Sequence, residues 1–297
     1  MNEKFDIPFK SSFIPALLES GARVKFNCHQ GVSCFNACCK HADIQLTPYD
    51  ILRLKDHLRI SVTDFLKNHT LPFEMDRDGL PGVKLRTDND GACLFVNEEG
   101  CSVYKDRPTA CRYYPIGHMA MHEAGAKDDE ARYFLIQEDY CKGHEEQREI
   151  SVDDYRKQQA VEIYDQVNRE WLQLILKKRS AGPSIGRPSD TSLQFFFMCS
   201  YDTDRLRRFV FSDSFRAAYD LDETFYQTME EDDLALLRFG VRLLNQVLFG
   251  EITIALKENA AEQRIEERKE ILALRREAEA ELHQQRQVQQ MKDAMSR

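Results

Sequence analysis

The sequence predicts an α+β protein, in which a small cysteine-rich, metal-organised module of short strands and helices precedes a mainly α-helical half ending in a long charged helix. Three observations support this class. Eight of the nine cysteines fall within the first 141 residues. The segments between these cysteines read as short strands and single helices separated by polar turns. From Ser151 onward, apolar residues recur at helical spacing instead.

These shifts in composition divide the chain into four segments. At 297 residues the chain exceeds the usual size of one domain, so more than one unit is expected. The predicted segments are an N-terminal extension (1–25), a cysteine-cluster metal-binding domain (26–146), a helical domain (147–250) and a long charged, solvated helix (251–297).

The composition indicates a globular protein with a heavily solvated surface. Apolar residues make up 42%, charged residues 31%, and the formal net charge is -9. A general phosphate-binding face would need a basic patch, so nucleic acid is not expected as a partner. Neither a secretory leader nor a run of about 18 apolar residues is found, so we expect no membrane span and a cytoplasmic location. Disulfides are uncommon in a reducing cytosol, and the cysteines therefore suggest metal or redox chemistry.

Three helices are predicted in the cysteine-rich half. LTPYDILRLKDHL has Thr47 as N-cap, Pro48 at the first position and Asp50 at the third, and this capping explains Asp50 without a catalytic role. SVTDFLKNH begins with Ser61 as a second cap. RPTACRYYP predicts a helical turn that carries Cys111 between two prolines.

Short strands are predicted between the turn signals of the same half. PGVKLRT, ACLFV and CSVY are bounded by DNDG and NEEG. GHMAMH and ARYFLIQ alternate in part, which predicts a hairpin across the polar segment GAKDDE.

The second half is predicted to be helical. Ser151 and Asp154 give a capping-box-like start to one long helix whose apolar stripe runs through Trp171. SAGPSIGRPSD reads as a linker, and further helices are expected around 202–220, 223–230 and 231–249. From Glu251 onward many charges of both signs, without Gly or Pro, predict the long solvated helix. This helical half is the candidate surface for a protein partner.

The clustered cysteines are the candidate metal ligands. Zinc and iron–sulfur centres each usually take four thiolates, so eight cysteines could make two four-thiolate sites, or one site with spare thiols. Side chains of the adjacent Cys38 and Cys39 diverge, so they serve two centres, or one ligates while the other packs. Cys199, inside FFFMCSY, is expected to be a buried core thiol. The predicted ligands are Cys28, Cys34, Cys38, Cys39, Cys93, Cys101, Cys111 and Cys141.

A shell of thiolates carries excess negative charge and needs hydrogen-bond donors around the sulfurs. Arg107 and Arg112 flank Cys111 and are the predicted donors, while Tyr104 is expected to pack around the centre. Histidines near the cysteines rank below the thiols as ligands, with second-shell, core or surface roles favoured; these are His29, His41, His118, His122 and His144.

The segments resemble, in order, the YkgJ family of cysteine-cluster proteins, a zinc- or iron-chelating domain. The resemblance rests on Cys34-x3-Cys38-Cys39, the Leu46-Thr47-x-x-Asp50 helix start and CLFVNEEGCSVYKDRPTACRYYP. Cys141 in YCKGH matches a later Cys-x-Gly element, whereas Cys28 is an upstream addition. The resemblance covers about residues 26–146 and implies a module that binds zinc or iron.

Three functions remain open at this point. The favoured one is a metal-binding protein that holds zinc or an iron–sulfur cluster in a redox, sensing or scaffold role. The family's distant link to flagellin lysine-N-methylases motivates a cluster-dependent protein-modifying enzyme such as a lysine N-methyltransferase. However, the chain has neither a G-x-G-x-x-G loop nor the C-x3-C-x2-C spacing of radical adenosylmethionine enzymes, so enzymatic activity is left undecided. The third is an adaptor with reduced, metal-free thiols.

Overall fold

The computed structural model describes residues 13–40, 42–76, 79–121, 130–180, 188–258 and 260. Its strands are short, and most lie in the cysteine-rich half. They are β1 (Phe13–Leu18), β2 (Arg23–Lys25), β3 (Gln45–Leu46), β4 (Thr70–Glu74), β5 (Pro81–Leu85), β6 (Val96–Asn97), β7 (Gly100–Cys101), β8 (Ile116–Met121), β9 (Glu130–Ile136) and β10 (Glu149–Ser151).

Helices dominate after residue 151, and single-turn 3₁₀ helices cover Tyr104–Asp106 and Lys142–Glu145. Together with the short strands they confirm the predicted α+β class. The α-helices are α1 (Ala37–Lys40), α2 (Pro48–Leu58), α3 (Val62–His69), α4 (Thr109–Tyr113), α5 (Val152–Gln158), α6 (Glu162–Ser180), α7 (Asp190–Tyr201), α8 (Thr203–Val210), α9 (Asp213–Ala218), α10 (Glu223–Glu231) and α11 (Asp233–Phe249).

The strands form small antiparallel sheets rather than one large sheet. Two sheets have three strands each, in the orders β1-β9-β8 and β3-β5-β4, and β10 pairs with β2 while β6 pairs with β7. The β8–β9 pairing runs from Ile116 opposite Leu135 to Met121 opposite Glu130, which confirms the predicted hairpin. The connection between these two strands lies outside the described residues.

The predicted helix starts in the first half are confirmed. At the start of α2, the Thr47 hydroxyl accepts from the Asp50 N–H, and the Asp50 carboxylate accepts from the Thr47 N–H at 2.8 Å. Ser61 caps α3 by accepting from the Asp64 N–H at 3.0 Å. The helix that carries Cys111, α4, lies between the two prolines as expected.

The long helix predicted from Ser151 is instead two helices, α5 and α6. The Ala160 N–H donates to the Lys157 carbonyl at 3.0 Å, and the Val161 N–H donates to the Arg156 carbonyl at 3.2 Å. These two bonds form a Schellman motif, with Ala160 in the left-handed conformation at φ 51°. The helix predicted around 202–220 is similarly divided into α8 and α9.

The charged helix that was predicted from residue 251 onward does not begin there. Residues 251–258 are not helical, and Leu256 forms an isolated bridge with Tyr219. The remainder of that prediction, from residue 261, lies outside the described residues, as does most of the predicted linker. Among the described residues, no helix is long and apolar enough to cross a membrane.

Two hydrophobic clusters form the core. The larger one joins α2, α3 and β5 to helices of the second half, so it crosses the predicted boundary at residue 146. It contains Cys199, which is fully buried as expected. The smaller cluster joins β2 and β10 to α5 and α4. Cys93 and Cys101 pack against the larger cluster and Cys141 against the smaller, which places the cysteine-rich region between them.

Candidate metal centre

The predicted ligands share one cavity. Its volume is about 750 Å³, and all eight clustered cysteines line it: Cys28, Cys34, Cys38, Cys39, Cys93, Cys101, Cys111 and Cys141. All eight thiols are free, and none is fully buried. Sequence segments that are far apart therefore bring their sulfurs to a common space.

Backbone hydrogen bonds hold one group of these thiols together. The Cys93 N–H donates to the Cys39 carbonyl at 2.7 Å, which joins α1 to the segment before β6. In the β6–β7 hairpin, Val96 pairs with Cys101, and the Val96 N–H donates back to the Cys93 carbonyl at 3.1 Å. Cys39, Cys93 and Cys101 therefore belong to one hydrogen-bonded unit.

Asp50 anchors the helix that supplies Cys111 to the same wall. Its side chain is fully buried, and one carboxylate oxygen accepts from the Thr109 N–H at 2.8 Å and from the Thr109 hydroxyl at 2.7 Å. The other oxygen caps α2 through Thr47. Burial raises the pKa of Asp50, and the hydrogen bonds from Thr47 and Thr109 oppose this. Asp50 thus fixes the start of α4 against the start of α2.

A second group of thiols is joined through the 3₁₀ helix at Lys142–Glu145. The Lys142 N–H donates to Cys34 Sγ at 3.0 Å, so Cys34 lies beside Cys141. The Asn27 N–H donates to the Gly143 carbonyl at 3.0 Å, which brings the segment of Cys28 to the same place.

The electrostatics show the same two neighbourhoods. Burial raises the pKa of Cys28 to about 11, with added repulsion from Cys38, Cys34 and Cys141. Burial also raises the pKa of Cys111, with added repulsion that comes first from Cys93 and Cys101.

Cys38 and Cys39 lie where the two groups meet. Their sulfurs are 3.9 Å apart, and a hydrogen bond from Cys39 lowers the pKa of Cys38 to about 7. The same contact raises the pKa of Cys39. The adjacent thiols are therefore inequivalent, since one is more easily ionised than the other.

Main-chain N–H groups reach several of the sulfurs, and the Tyr114 hydroxyl hydrogen-bonds to Cys141. Burial raises the pKa of Cys93 and Cys101, and hydrogen bonds from the N–H groups of Phe95 and Val103 oppose this shift. Phe95 and Val103 each lie two residues after the cysteine to which they donate. The Lys142 N–H donates to a third sulfur, that of Cys34. Such bonds stabilise the thiolate form that a metal requires. Side-chain types in the sequence do not reveal these donors.

The arginines named as sulfur donors bind oxygen instead. Arg112 is buried, and its N–H groups donate to the carbonyls of Lys105, Arg107 and Gln159 and to the Tyr164 hydroxyl. We therefore assign it a structural role and not that of a sulfur donor. Arg107 likewise donates to the Tyr104 carbonyl and the Gln159 side chain. Its charge nevertheless acts on a thiol, since it opposes the effect of burial on the pKa of Cys101.

Aromatic side chains complete the walls of the cavity. Tyr104 is 60% exposed, and the guanidinium of Arg107 lies 4.0 Å from its ring centroid. Tyr113 and Tyr133 stack on His118 with centroid distances of 5.1 and 5.6 Å. His118 lines the cavity, and burial lowers its pKa, which favours a neutral imidazole.

Two further candidate histidines have partners other than the sulfurs. His29 pairs with Glu146 at 3.4 Å and is exposed, and His144 contacts the Ile136 carbonyl at 3.1 Å. Neither lines the cavity. His41 and His122 fall outside the described residues.

The donor set fits zinc or iron chemically, because thiolates are soft ligands that both metals accept. A single tetrahedral zinc ion, with Zn–S near 2.3 Å, would draw four sulfurs to about 3.8 Å from one another. In the described part of the chain, no three His, Cys, Asp or Glu side chains are placed to hold one ion. The thiols instead surround a space that is larger than one ion.

A cavity lined by eight cysteines, in a small α+β framework, is the candidate metal centre of the first half. Residues 27–150 match the model of the CxxCxxCC family, described as a "Putative zinc- or iron-chelating domain". This match confirms the resemblance to a cysteine-cluster family over those residues. Neither the curated proteins nor the solved structures contained a match.

Proposed function

We propose that this protein binds iron through its clustered thiols as an iron–sulfur centre, in a redox or sensing role. The observation that carries the proposal is the single cavity of about 750 Å³ lined by eight cysteines. The matched domain indicates a zinc- or iron-chelating function. Thiolates are the usual ligands of iron–sulfur clusters.

The number of thiols around one cavity favours a polynuclear centre over a single ion. A closed zinc site would need four sulfurs at about 3.8 Å from one another. The described residues provide no such group, although they bring eight thiols to one space. A cluster of several irons and sulfides spans wider gaps, because each thiolate binds a different iron atom.

The chain's own groups suit this role. Main-chain N–H groups of Phe95, Val103 and Lys142 donate to sulfurs, and hydrogen bonds of this kind tune the reduction potential of thiolate-bound iron. Cys28 and Cys38 are exposed, which gives an electron-transfer partner or an oxidant access to the centre. The alternative of a lysine N-methyltransferase gains no support from the comparisons with known proteins.

Metal and sulfide analysis of the full chain, purified without oxygen, tests the proposal. We expect iron and acid-labile sulfide in similar amounts, with visible absorption that dithionite bleaches. Cys111→Ser should lower the iron content, whereas Cys199→Ala should not, because Cys199 is buried in the helical half away from the cavity. A colourless protein with stoichiometric zinc would reject the iron–sulfur centre and keep a thiolate metal site. A protein free of both metals would reject metal binding altogether.

A further inference from the structure

Arg107 is a buried cation whose partners in the described part of the chain are all neutral. The residue is 8% exposed, and its guanidinium donates to the Tyr104 carbonyl at 2.7 Å and to the Gln159 side chain. Among the described residues, no carboxylate forms an ion pair with Arg107. A charge removed from water is costly unless an opposite charge lies near it, so a negative group is expected beside this guanidinium.

The carboxylate that adjoins Arg107 in the sequence, Asp106, has other partners. One of its oxygens accepts from Arg53 Nε at 3.1 Å, and the other lies 2.8 Å from His57 Nδ1. The buried Asp50 carboxylate is likewise engaged, at the two helix starts that it joins. Neither of these acidic side chains neutralises Arg107.

The cavity is the side of Arg107 on which negative charge can form. Arg107 lines this cavity together with the eight cysteines. Its charge reaches one of the sulfurs, since it opposes the effect of burial on the pKa of Cys101. Metals bind the thiolate and not the thiol, so a loaded centre places several negative charges in the cavity. Four thiolates around a divalent ion leave a net negative charge that a nearby cation stabilises.

The second buried arginine of this region, Arg112, is placed differently. It is not one of the residues that line the cavity. Its N–H groups donate to three main-chain carbonyls and to the Tyr164 hydroxyl, which fixes it within the framework. Of the two arginines that flank Cys111, Arg107 is therefore the one whose charge is directed to the thiols.

We infer that Arg107 is the counter-charge of the thiolate centre, a positioning residue that acts on the metal through its charge and not as a ligand. Its role rests on the proposed thiolate metal binding and adds how the protein sets the affinity and the reduction potential of that site. Reduction adds negative charge to an iron–sulfur centre, so a buried cation beside it favours the reduced state.

Two substitutions of Arg107 separate its charge from its hydrogen bonds. Arg107→Gln removes the charge, whereas Arg107→Lys keeps the charge and loses the planar fork that serves Tyr104 and Gln159. Gln159→Ala removes one of these hydrogen-bond partners and also keeps the charge. Arg238→Gln is the matched control, because it deletes the same charge at an exposed position of α11 in the helical half.

The test is a redox titration of the full chain, loaded without oxygen, with dithionite as reductant and visible absorption as readout. Arg107→Gln should make reduction of the centre about tenfold less favourable, a fall in potential of about 59 mV for one electron. Arg107→Lys, Gln159→Ala and Arg238→Gln should each change it less than about threefold. If the loaded metal is zinc, competition titration with zinc replaces the potential, and Arg107→Gln should bind it about tenfold more weakly.

Equal losses in Arg107→Gln and Arg107→Lys would overturn the counter-charge and indicate a hydrogen-bonding role instead. Wild-type potential and affinity in Arg107→Gln would overturn it as well, while leaving metal binding intact. A tenfold change in Gln159→Ala would do the same, and this variant decides if Arg107→Gln does not fold. A wild-type protein that holds neither metal would reject the proposed function and the counter-charge together.

Discussion

Replacing Asp50 with Asn should destabilise the protein far more than a surface substitution of the same type. The buried Asp50 carboxylate accepts three hydrogen bonds, one from Thr47 and two from Thr109. The asparagine side chain has only one oxygen, so its NH₂ group must face one of the groups that donate to Asp50. At least one buried N–H then loses its partner, which costs about 1–3 kcal/mol. With Asp50→Ala both main-chain N–H groups lose their partners, and the cost rises to about 2–6 kcal/mol.

Urea unfolding followed by circular dichroism gives the free energy of unfolding for these variants. Asp64 is the matched control, because it holds the same third position in the neighbouring helix α3 but is exposed. Asp64→Asn should change the free energy of unfolding by no more than about 0.5 kcal/mol. Because Asp50 also fixes the helix that carries Cys111, Asp50→Asn should lower metal content as well. Equal destabilisation by Asp50→Asn and Asp64→Asn would refute the argument that Asp50 joins the two helices.

Three further outcomes are expected. Arg112→Lys should lower the free energy of unfolding by about 2–4 kcal/mol, because lysine cannot reproduce the planar set of donors to buried oxygens. The free energies of unfolding are measured by urea denaturation. An equal loss in Arg148→Lys, a substitution at an exposed arginine, would contradict this prediction. Gly240→Ala should cost about 1–3 kcal/mol, since its Cβ would lie 2.5 Å from a carbonyl oxygen of α7. Gly21→Ala is the control, because its added Cβ has no neighbouring atom within 4 Å, and it should keep the wild-type melting temperature. Metal affinity should rise with pH, because the pKa of Cys28, raised to about 11, keeps that thiol protonated at neutral pH in the metal-free protein. Each proton released on loading adds about tenfold in affinity per pH unit, and a competition titration that is flat between about pH 6.5 and 8.5 would contradict this.

The helix starts could be predicted because their signals are local. Thr47, Pro48 and Asp50 lie within four residues and satisfy one another, so the capping box is readable without any tertiary information. The break at Ala160 could not be predicted in this way. Its Schellman motif has no glycine, and the apolar stripe continues through it at helical spacing.

Strands that pair over long sequence distances were missed as well. β2 and β10 have three residues each, too few for a periodic pattern to be read, and they lie far apart along the chain. Their pairing depends on the burial of Val24 and Ile150 in the smaller cluster, which is a property of the folded chain.

For the candidate site, the sequence gives the set of thiols but not their surroundings. The spacing of the cysteines was enough to predict that they would gather, and all eight line one cavity. The donors to the sulfurs were assigned to Arg107 and Arg112 because these residues flank Cys111 in sequence. The donors to Cys93 and Cys101 are backbone amides, which every residue type except proline carries, so composition could not single them out.

The larger hydrophobic cluster bears on how the chain can be divided in the laboratory. Helix α2 packs against α6 and α11, and β5 packs against α7. A fragment truncated at residue 150 would keep every cavity cysteine yet leave the apolar faces of α2 and β5 bare to water. Poor solubility of such a fragment would then say nothing about its thiols. Conversely, a large cavity opened deep among the C-terminal helices, unlike the small one left by Cys199→Ala, would loosen the wall on which Cys93 and Cys101 rest without touching either sulfur.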